Sequence, residues 1–569
     1  MSSNGFAMSY DSTPKIGRRQ LLAALGVGVG TGLAGCLGDD DDDGNGNENG
    51  NGNGNGNGNG DGDSEFRVGL NSEPSTLDIH ESGRIPEGVA LAPVHETLFL
   101  LNSDIEPVPH LASDYEILDD ARQFVFQLEE GVTFHNETEL DAEQVVWNFE
   151  RLVDLGAHAS VFDPVTEMEA SGTYEVTIET DQPYPLFLRE LSEFEIGMAP
   201  RDAVEDAGDD WGREVIVGTG PYEFVEWAAA DYVELERYDD YEWGPEFTSR
   251  PQSNVDRVVL DIIPEDATRA NELTAGDLHA DYETALGQAA SIEDNSGTEV
   301  RRTQSTWTFL PVNTAKPPTD EIEVRRAIAH AINRGPLIDV GLDGEGETTK
   351  GFVPPFWANA LPESENEELH PAYSPDAARE ELDAAGWTND EEGETRARDG
   401  EELRLNHYSF PFPLLSNQAE AIQAMLSEVG IATDLQVPEA STFYAELENN
   451  EHHLANSGGA FTPFASSVLS DYYHSSQKTS EVGGLNFGNY ENSEVDDLIG
   501  QAQFDPDPEA RVEAALEAQR ILHQDLPAIP LNLLNRIYAF EDGVQGIDEW
   551  TEHPLWWGQY HLHLREVGL

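Results

Sequence analysis

Residues 39–64 decide how the rest of the chain can be divided. Asp39 to Asp43 are followed by a run of alternating asparagine and glycine. Such a stretch cannot bury apolar surface to offset the entropy of ordering it, so it reads as a disordered tether. A Gly-rich coil of roughly 28 residues has an r.m.s. reach of about 30 Å. Residues 1–36 lie before the tether (37–64), and a body of roughly 500 residues lies after it. That body is too long for one ordinary domain and long enough for two or three. Strand-like and helix-like segments alternate along it, which predicts an α/β architecture. No repeat is present outside the tether.

The leader reads as a targeting segment. Lys15, Arg18 and Arg19 precede a glycine-interrupted apolar stretch, residues 21–33. This stretch is short of the roughly 20 apolar residues that span a bilayer. The Arg18-Arg19 pair before Leu21-Leu22 resembles a twin-arginine export signal, and Leu33-Ala34-Gly35-Cys36 resembles a lipoprotein cleavage box. The resemblance implies cleavage before Cys36 and a lipid on its thiol, with the body held outside the cell membrane. The rival is an ordinary N-terminal helix with a buried cysteine. Cys36 is the only cysteine, so intramolecular disulfides, Cys-rich zinc sites and thiolate copper sites are excluded.

Asp and Glu number 111 against 30 Lys and Arg, a formal net charge of −81 spread through the whole chain. Lysine is confined to Lys15, Lys316, Lys350 and Lys478. Unscreened, such charge opposes compaction. At about 1 M salt the Debye length is about 3 Å and the repulsion largely vanishes. The composition resembles that of halophilic, haloarchaeal proteins. With no basic patch to release counterions, nucleic acid is not an expected partner. No acidic loop has calcium-ligand spacing, and no metal or cofactor is expected.

Strands are predicted at residues 66–70, 124–128, 174–178, 232–237 and 258–263, each rich in β-branched or aromatic residues between turn formers. Asp141 to Gln144 can form a capping box before a face of Val145, Val146, Phe149 and Leu152. Val324, Ala327, Ile328, Ala331 and Ile332 form another face, with Arg325 and Arg326 placed opposite it as solvated or ion-paired surface. Ser374-Pro375 starts a helix that Gly386 ends, residues 421–429 end at Gly430, and residues 512–526 stop at Pro527.

Six segments in order resemble the peptide/nickel solute-binding proteins (family 5) of ABC importers. They are FRVGLNSEPSTLD from Phe66; residues 95–152, with HETLF, the Pro109 to Ala112 stretch and LEEGVTFH; Gly218-Thr219-Gly220-Pro221-Tyr222; Leu273-Thr274-Ala275-Gly276-Asp277-Leu278; VRRAIAHAINR up to Arg334; and residues 486–531, with GNYENSEVDDLI and DLPAIPL. The resemblance implies a type II periplasmic-binding-protein-like fold: two lobes, a hinge and an accessory α/β domain. Lobe one is then expected at 65–99, 216–316 and 533–569, the accessory domain at 100–215, and lobe two at 317–532. It also implies a monomer with no enzymatic activity, which captures a peptide or related small solute between the lobes. The closed form would deliver it to the permease and ATPase subunits of the importer. Gly218 and Gly220 read as a tight turn that a side chain would obstruct, not as a phosphate loop.

Candidate cleft residues follow from the same resemblance. Ser72 and Glu73 follow the opening strand, on a loop that is otherwise simply exposed. Trp307 lies where the chain enters lobe two, to shield ligand or to fill core. Phe461, Asn486 and Tyr490 are expected to face the cleft from lobe two. Peptide-binding members carry an Asp-Pro in the segment corresponding to residues 459–467, which pairs with the ligand's free amine; here no acid occurs there. A buried ammonium without a carboxylate is costly, so a dipeptide held by its N-terminus is disfavoured. His452 and His453 are adjacent and read as surface. Asn136-Glu137-Thr138 is a glycosylation sequon in a predicted turn. The rivals are a tethered surface hydrolase, for which neither G-x-S-x-G nor H-E-x-x-H is present, and a binding protein that feeds a chemoreceptor.

Overall fold

The structure is a computed structural model and describes residues 64–102, 105–156, 158–244, 255–389, 394–459 and 464–546. Cys36, the tether and Phe461 lie outside the described residues. The expected mixed α/β architecture is what the chain adopts.

All five predicted strands form, within two residues of their expected ends. Local chemistry sets the helices. Asp141 accepts from the Gln144 amide (2.9 Å), and the helix Ala142–Leu155 ends at Gly156 with φ 75°. Ser374 accepts from Ala377 N (3.2 Å) ahead of Pro375–Ala384. Two helices start earlier than the apolar periodicity suggests, at Pro413 and at Pro508; Asp507 caps the second. Proline at the first helical position leaves no donor unsatisfied there, so both starts are favourable.

The main sheet has eleven strands. Its centre is a ribbon of two 14-residue strands, Thr298–Pro311 and Ala528–Glu541, paired antiparallel along their whole length. The register breaks between Gln304 and Thr306 and again between Thr308 and Phe309. On one side the order continues through Ala280–Asp281, Glu65–Leu70, Arg257–Ile262, Tyr232–Arg237 and Tyr222–Ala228. On the other it continues through Leu454–Gly458, Arg404–Ser409 and Ala432–Gln436, and the eleventh strand, Gly346–Thr348, pairs with Ala528–Glu541. These two halves join the ribbon at opposite ends, at Ala539 and Phe540 on one side and at Thr308 and Phe309 on the other. The ribbon therefore crosses from one half of the sheet to the other; its first break lies near mid-length and its second where Leu454–Gly458 joins it. A separate four-stranded antiparallel sheet runs Ala112–Leu118, Gln123–Leu128, Glu175–Thr180, Val165–Ala170.

Three large hydrophobic cores result. One gathers Phe66, Val94, Tyr222, Leu260 and Phe540; a second, Phe99, Phe126, Phe149 and Met198; the third, Trp307, Ile328, Leu405, Leu469 and Leu533.

The Gly218–Gly220 segment is tight for a reason other than backbone handedness. Neither glycine is among the positive-φ residues. A Cβ on Gly218 would lie 1.9 Å from Val94 O, and one on Gly220 would lie 2.2 Å from Pro93 O. His135 closes the other side, with its amide donating to Gly218 O and its Nε2 2.9 Å from Gly220 O.

Three surface expectations are corrected. Arg325 is buried, and its guanidinium donates to the carbonyls of Asp525 (2.8 Å), Thr319 (3.0 Å) and Asp320 (2.9 Å). Helix Ile322–Ala331 is covered on more than its apolar stripe, so periodicity misplaced that side chain; Arg326 is exposed as expected. His452 and His453 are buried, His452 against Phe487 O (2.6 Å) and His453 against Pro317 O (3.1 Å). Both lie at the entry to strand Leu454–Gly458, inside the sheet's packing layer.

Candidate functional site

The loop after the opening strand is tied down on both sides. Asn71 Nδ2 donates to Glu283 (2.7 Å), and Ser72 Oγ donates to Asn71 Oδ1 (3.1 Å). Burial raises the Glu283 carboxyl, and Arg536 on the ribbon opposes that rise. Glu73 accepts from the amide of Ala230 (2.9 Å), at a hairpin tip where φ is 59°. Its carboxylate thus holds the turn between Tyr222–Ala228 and Tyr232–Arg237.

Trp307 lies on the ribbon and is fully buried. Its ring stacks on Phe309 (5.5 Å between centroids) and meets Trp357 and Tyr472 edge-on (5.4 and 5.6 Å). Gly459 lies flush against it, for a Cβ there would sit 2.1 Å from the indole. The indole Nε1 has no hydrogen-bond partner among the described residues. Gly459→Ala is accordingly expected to displace the indole, read as a changed tryptophan fluorescence maximum; an unchanged spectrum and melting temperature would contradict this contact.

Asn486 and Tyr490 spend their polar groups on one another's loop. Asn486 Nδ2 donates to His474 O (3.1 Å) and Tyr490 O (2.9 Å), while its Oδ1 accepts from Tyr490 N (2.9 Å). The Tyr490 hydroxyl donates to Asp525 (2.5 Å), and burial followed by this bond raises its pKa. A crevice lined by Phe309, Tyr472, Asn486 and Phe487 has no room for even a water molecule, so it is not a solute chamber.

A cluster that sequence reasoning did not find joins the second core to the third. The Arg189 guanidinium lies 3.3 Å from the centre of the Phe464 ring. Both its Nη atoms are 3.4 Å from Ser467 Oγ, and Nη1 is 3.6 Å from Glu190. Phe464 also forms a small apolar contact with Leu101 and Ile105, against which Ala358 packs. Glu193, Glu195 and Asp471 surround this junction, each partly buried. Burial pushes Glu193 and Glu195 up to about 8, with Glu195 adding to the rise at Glu193. Burial and then Glu190 push Asp471 to about 7. Residues 459–467 do lack an acid, but Asp471, one turn beyond Ser467 on helix Ala465–Tyr473, places one beside them. No sequence signal marks Arg189, whose partners Phe464 and Ser467 are more than 270 positions away. Among the described residues no group of three or more His, Cys, Asp or Glu is arranged to hold a metal ion, and no helix is long and apolar enough to cross a membrane.

Residues 106–480 match the family "Bacterial extracellular solute-binding proteins, family 5 Middle". The glutathione-binding protein GsiB of Escherichia coli O1:K1 / APEC is 27% identical over 497 residues, covering 85% of this chain and 91% of that one. NikA from Brucella suis, solved in complex with Fe(III)-EDTA, superposes with a TM-score of 0.76 at 23% identity, over 89% of this chain and 100% of that one. The periplasmic binding protein DppA from Helicobacter pylori, in complex with the peptide STSA, gives 0.68 at 22% identity, over 89% and 98%. At these identities the structural likenesses establish the fold, which is the expected type II binding-protein fold.

Proposed function

The chain belongs to family 5 of the bacterial extracellular solute-binding proteins, and from that membership we propose that it is the extracytoplasmic receptor of an ABC importer. It captures a peptide or a related small solute between two lobes and presents the closed form to the permease and its ATPase. The observation that carries this reading is the 14-residue ribbon shared by both halves of the sheet, an element suited to bending near its register breaks while each core stays rigid. The lobes are 65–99 with 216–316 and 533–569, and 317–532; residues 100–215 form the accessory domain. The three hydrophobic cores support this division in outline, though Trp307 to Val312 and Leu533 pack with lobe two, Phe99 with the accessory domain, and Phe194, Ala199 and Trp211 with lobe one.

Ser72 is the cleft position we assign to solute contact, whereas Trp307, enclosed in its aromatic stack, fills core. Glu73, Asn486 and Tyr490 act by holding the walls, and Phe461 lies outside the described residues. The body is held at the outer face of the membrane by a lipid on Cys36, a reading supported by the sole cysteine standing directly before the tether.

Two measurements test these statements. In multimolar KCl, a panel of free peptides, reduced glutathione and nickel–histidine should contain a solute that raises stability by about 2.7 kcal/mol at one hundred times its Kd. The same solute should shrink the radius of gyration in small-angle scattering. A panel without any stabilising solute would sink the receptor reading. Cys36→Ser is expected to move the protein from the membrane fraction to the medium; retention at the membrane would refute the anchor.

A further inference from the structure

Among the described residues, four buried arginines donate to acceptors at ordinary hydrogen-bond distance, and Arg189 does not. Arg269 donates to Ile263 O (2.8 Å), Asp266 (2.8 Å) and Asp281 (3.1 Å). Arg396 donates to Trp387 O (2.6 Å), Asp383 (2.5 Å) and Val429 O (3.0 Å). Arg334 has Pro530 O (2.6 Å) and His370 (2.7 Å), and Arg325 has three carbonyls. Arg189 is as deeply buried, at 4% exposure, yet its shortest polar contacts are the two at 3.4 Å to one hydroxyl. Its Nε has no partner among the described residues.

A buried guanidinium left this way forgoes the hydrogen bonds that normally offset its desolvation. The side chain is nonetheless held in place. Phe464 lies against its flat face, which fixes the plane of the fork and leaves the in-plane N–H groups free to donate. It stands where the second core meets the third, at a junction that lobe closure would form.

We infer that Arg189 is a solute-binding residue and that the group it receives is a carboxylate of the solute. This rests on the receptor reading and deepens it. A planar anion matches the fork in a bidentate pair, whereas a neutral amide or hydroxyl meets only one donor well. The acids nearby leave room for this. Glu190, 3.6 Å from Nη1, is beyond hydrogen-bond distance, and burial raises Glu193, Glu195 and Asp471 toward their protonated forms, in which a carboxyl donates to a carboxylate instead of repelling it.

The test is calorimetric titration in multimolar KCl of wild type, Arg189→Gln and Arg189→Lys, with each fold checked by its melting temperature. The probes are reduced glutathione and the tetrapeptide Ser-Thr-Ser-Ala as free acid and as C-terminal amide. The expected result is a free acid bound about tenfold or more tighter than its amide by wild type, the size of a charge-assisted hydrogen bond. That preference should vanish in Arg189→Gln and survive in part in Arg189→Lys. Equal affinity for acid and amide in wild type overturns the assignment and leaves the receptor reading standing. So does a preference unchanged in a folded Arg189→Gln. Absence of binding to every probe, and to the wider solute panel above, overturns the receptor reading and this assignment with it.

Discussion

Acidification from pH 7 to pH 4 in multimolar KCl is expected to unfold the chain. Burial lowers His95, His135, His407, His452, His453 and His523 from an ordinary 6.5 to about 4. His80 falls to about 3, by burial first and then by Arg151, whose Nη1 is 2.6 Å from its Nδ1. At pH 7 these rings are neutral in both folded and unfolded chains, so their neutrality carries no penalty. Below pH 6.5 the unfolded chain takes up protons that the folded one refuses until about pH 4. Stability is therefore complete above 6.5 and lost progressively down to 4. A displacement of this size is worth about 3 kcal/mol per ring. Three fully enclosed rings, His95, His407 and His452, together rival the whole stability of a typical domain, about 5–15 kcal/mol.

Glu193 and Glu195 act in the opposite sense. Their raised values add stability as the pH falls from about 8 toward 4.5, and two such groups reduce the acid loss without cancelling seven histidines. High salt screens the acidic surface, so relief of charge repulsion adds little. Circular dichroism against pH checks this, with His407→Leu expected to shift the acid midpoint downward. A signal flat from pH 7 to 4.5 would refute it.

The second large effect is steric. Gly218→Ala and Gly220→Ala are each expected to cost about 3 kcal/mol or more, in the range of severe overpacking. The atoms in the way are backbone carbonyl oxygens, not flexible side-chain ends. They are also fixed, because Val94 O accepts from Gly220 N (2.8 Å) and Pro93 O from Tyr222 N (3.1 Å). An added methyl group therefore pushes Pro93 to His95 away from the segment that His135 closes from the far side. Gly500→Ala is the control: it lies in helix Ser493–Phe504 with open space where its Cβ would stand, and should gain about 0.5–1 kcal/mol. Denaturant midpoints in constant KCl measure all three. Gly218→Ala within 1 kcal/mol of wild type would mean that the two segments are not in the contact described.

The helices and strands were legible because what starts and stops them is written within a few residues. Asp141 reaches Gln144, Ser374 reaches Ala377, and Gly386 and Gly430 turn the chain with φ near +80 to +90°. The starts at Pro413 and Pro508 were missed because apolar spacing weakens over the first turn, where proline and an N-cap carry the signal instead. Arg325, His452 and His453 were misread for another reason: polarity marks a surface only where no second layer arrives, and here the Asp525 end of a helix and the Phe487 loop arrive.

By itself, then, the sequence determined the order of secondary elements, the family, and the sole cysteine with the Asn-Gly run behind it, since each depends on residue type or on neighbours a few positions apart. The tertiary structure decided which polar groups are spent inside the protein and which are left over. Glu73, Asn486 and Tyr490 turn inward, to Ala230, His474 and Asp525, while Arg189 is buried against Phe464 and Ser467, the latter 278 positions along, with donors unspent. Satisfaction of a buried donor depends on what the fold brings to within about 3 Å of it, and no local pattern of residues encodes that distance.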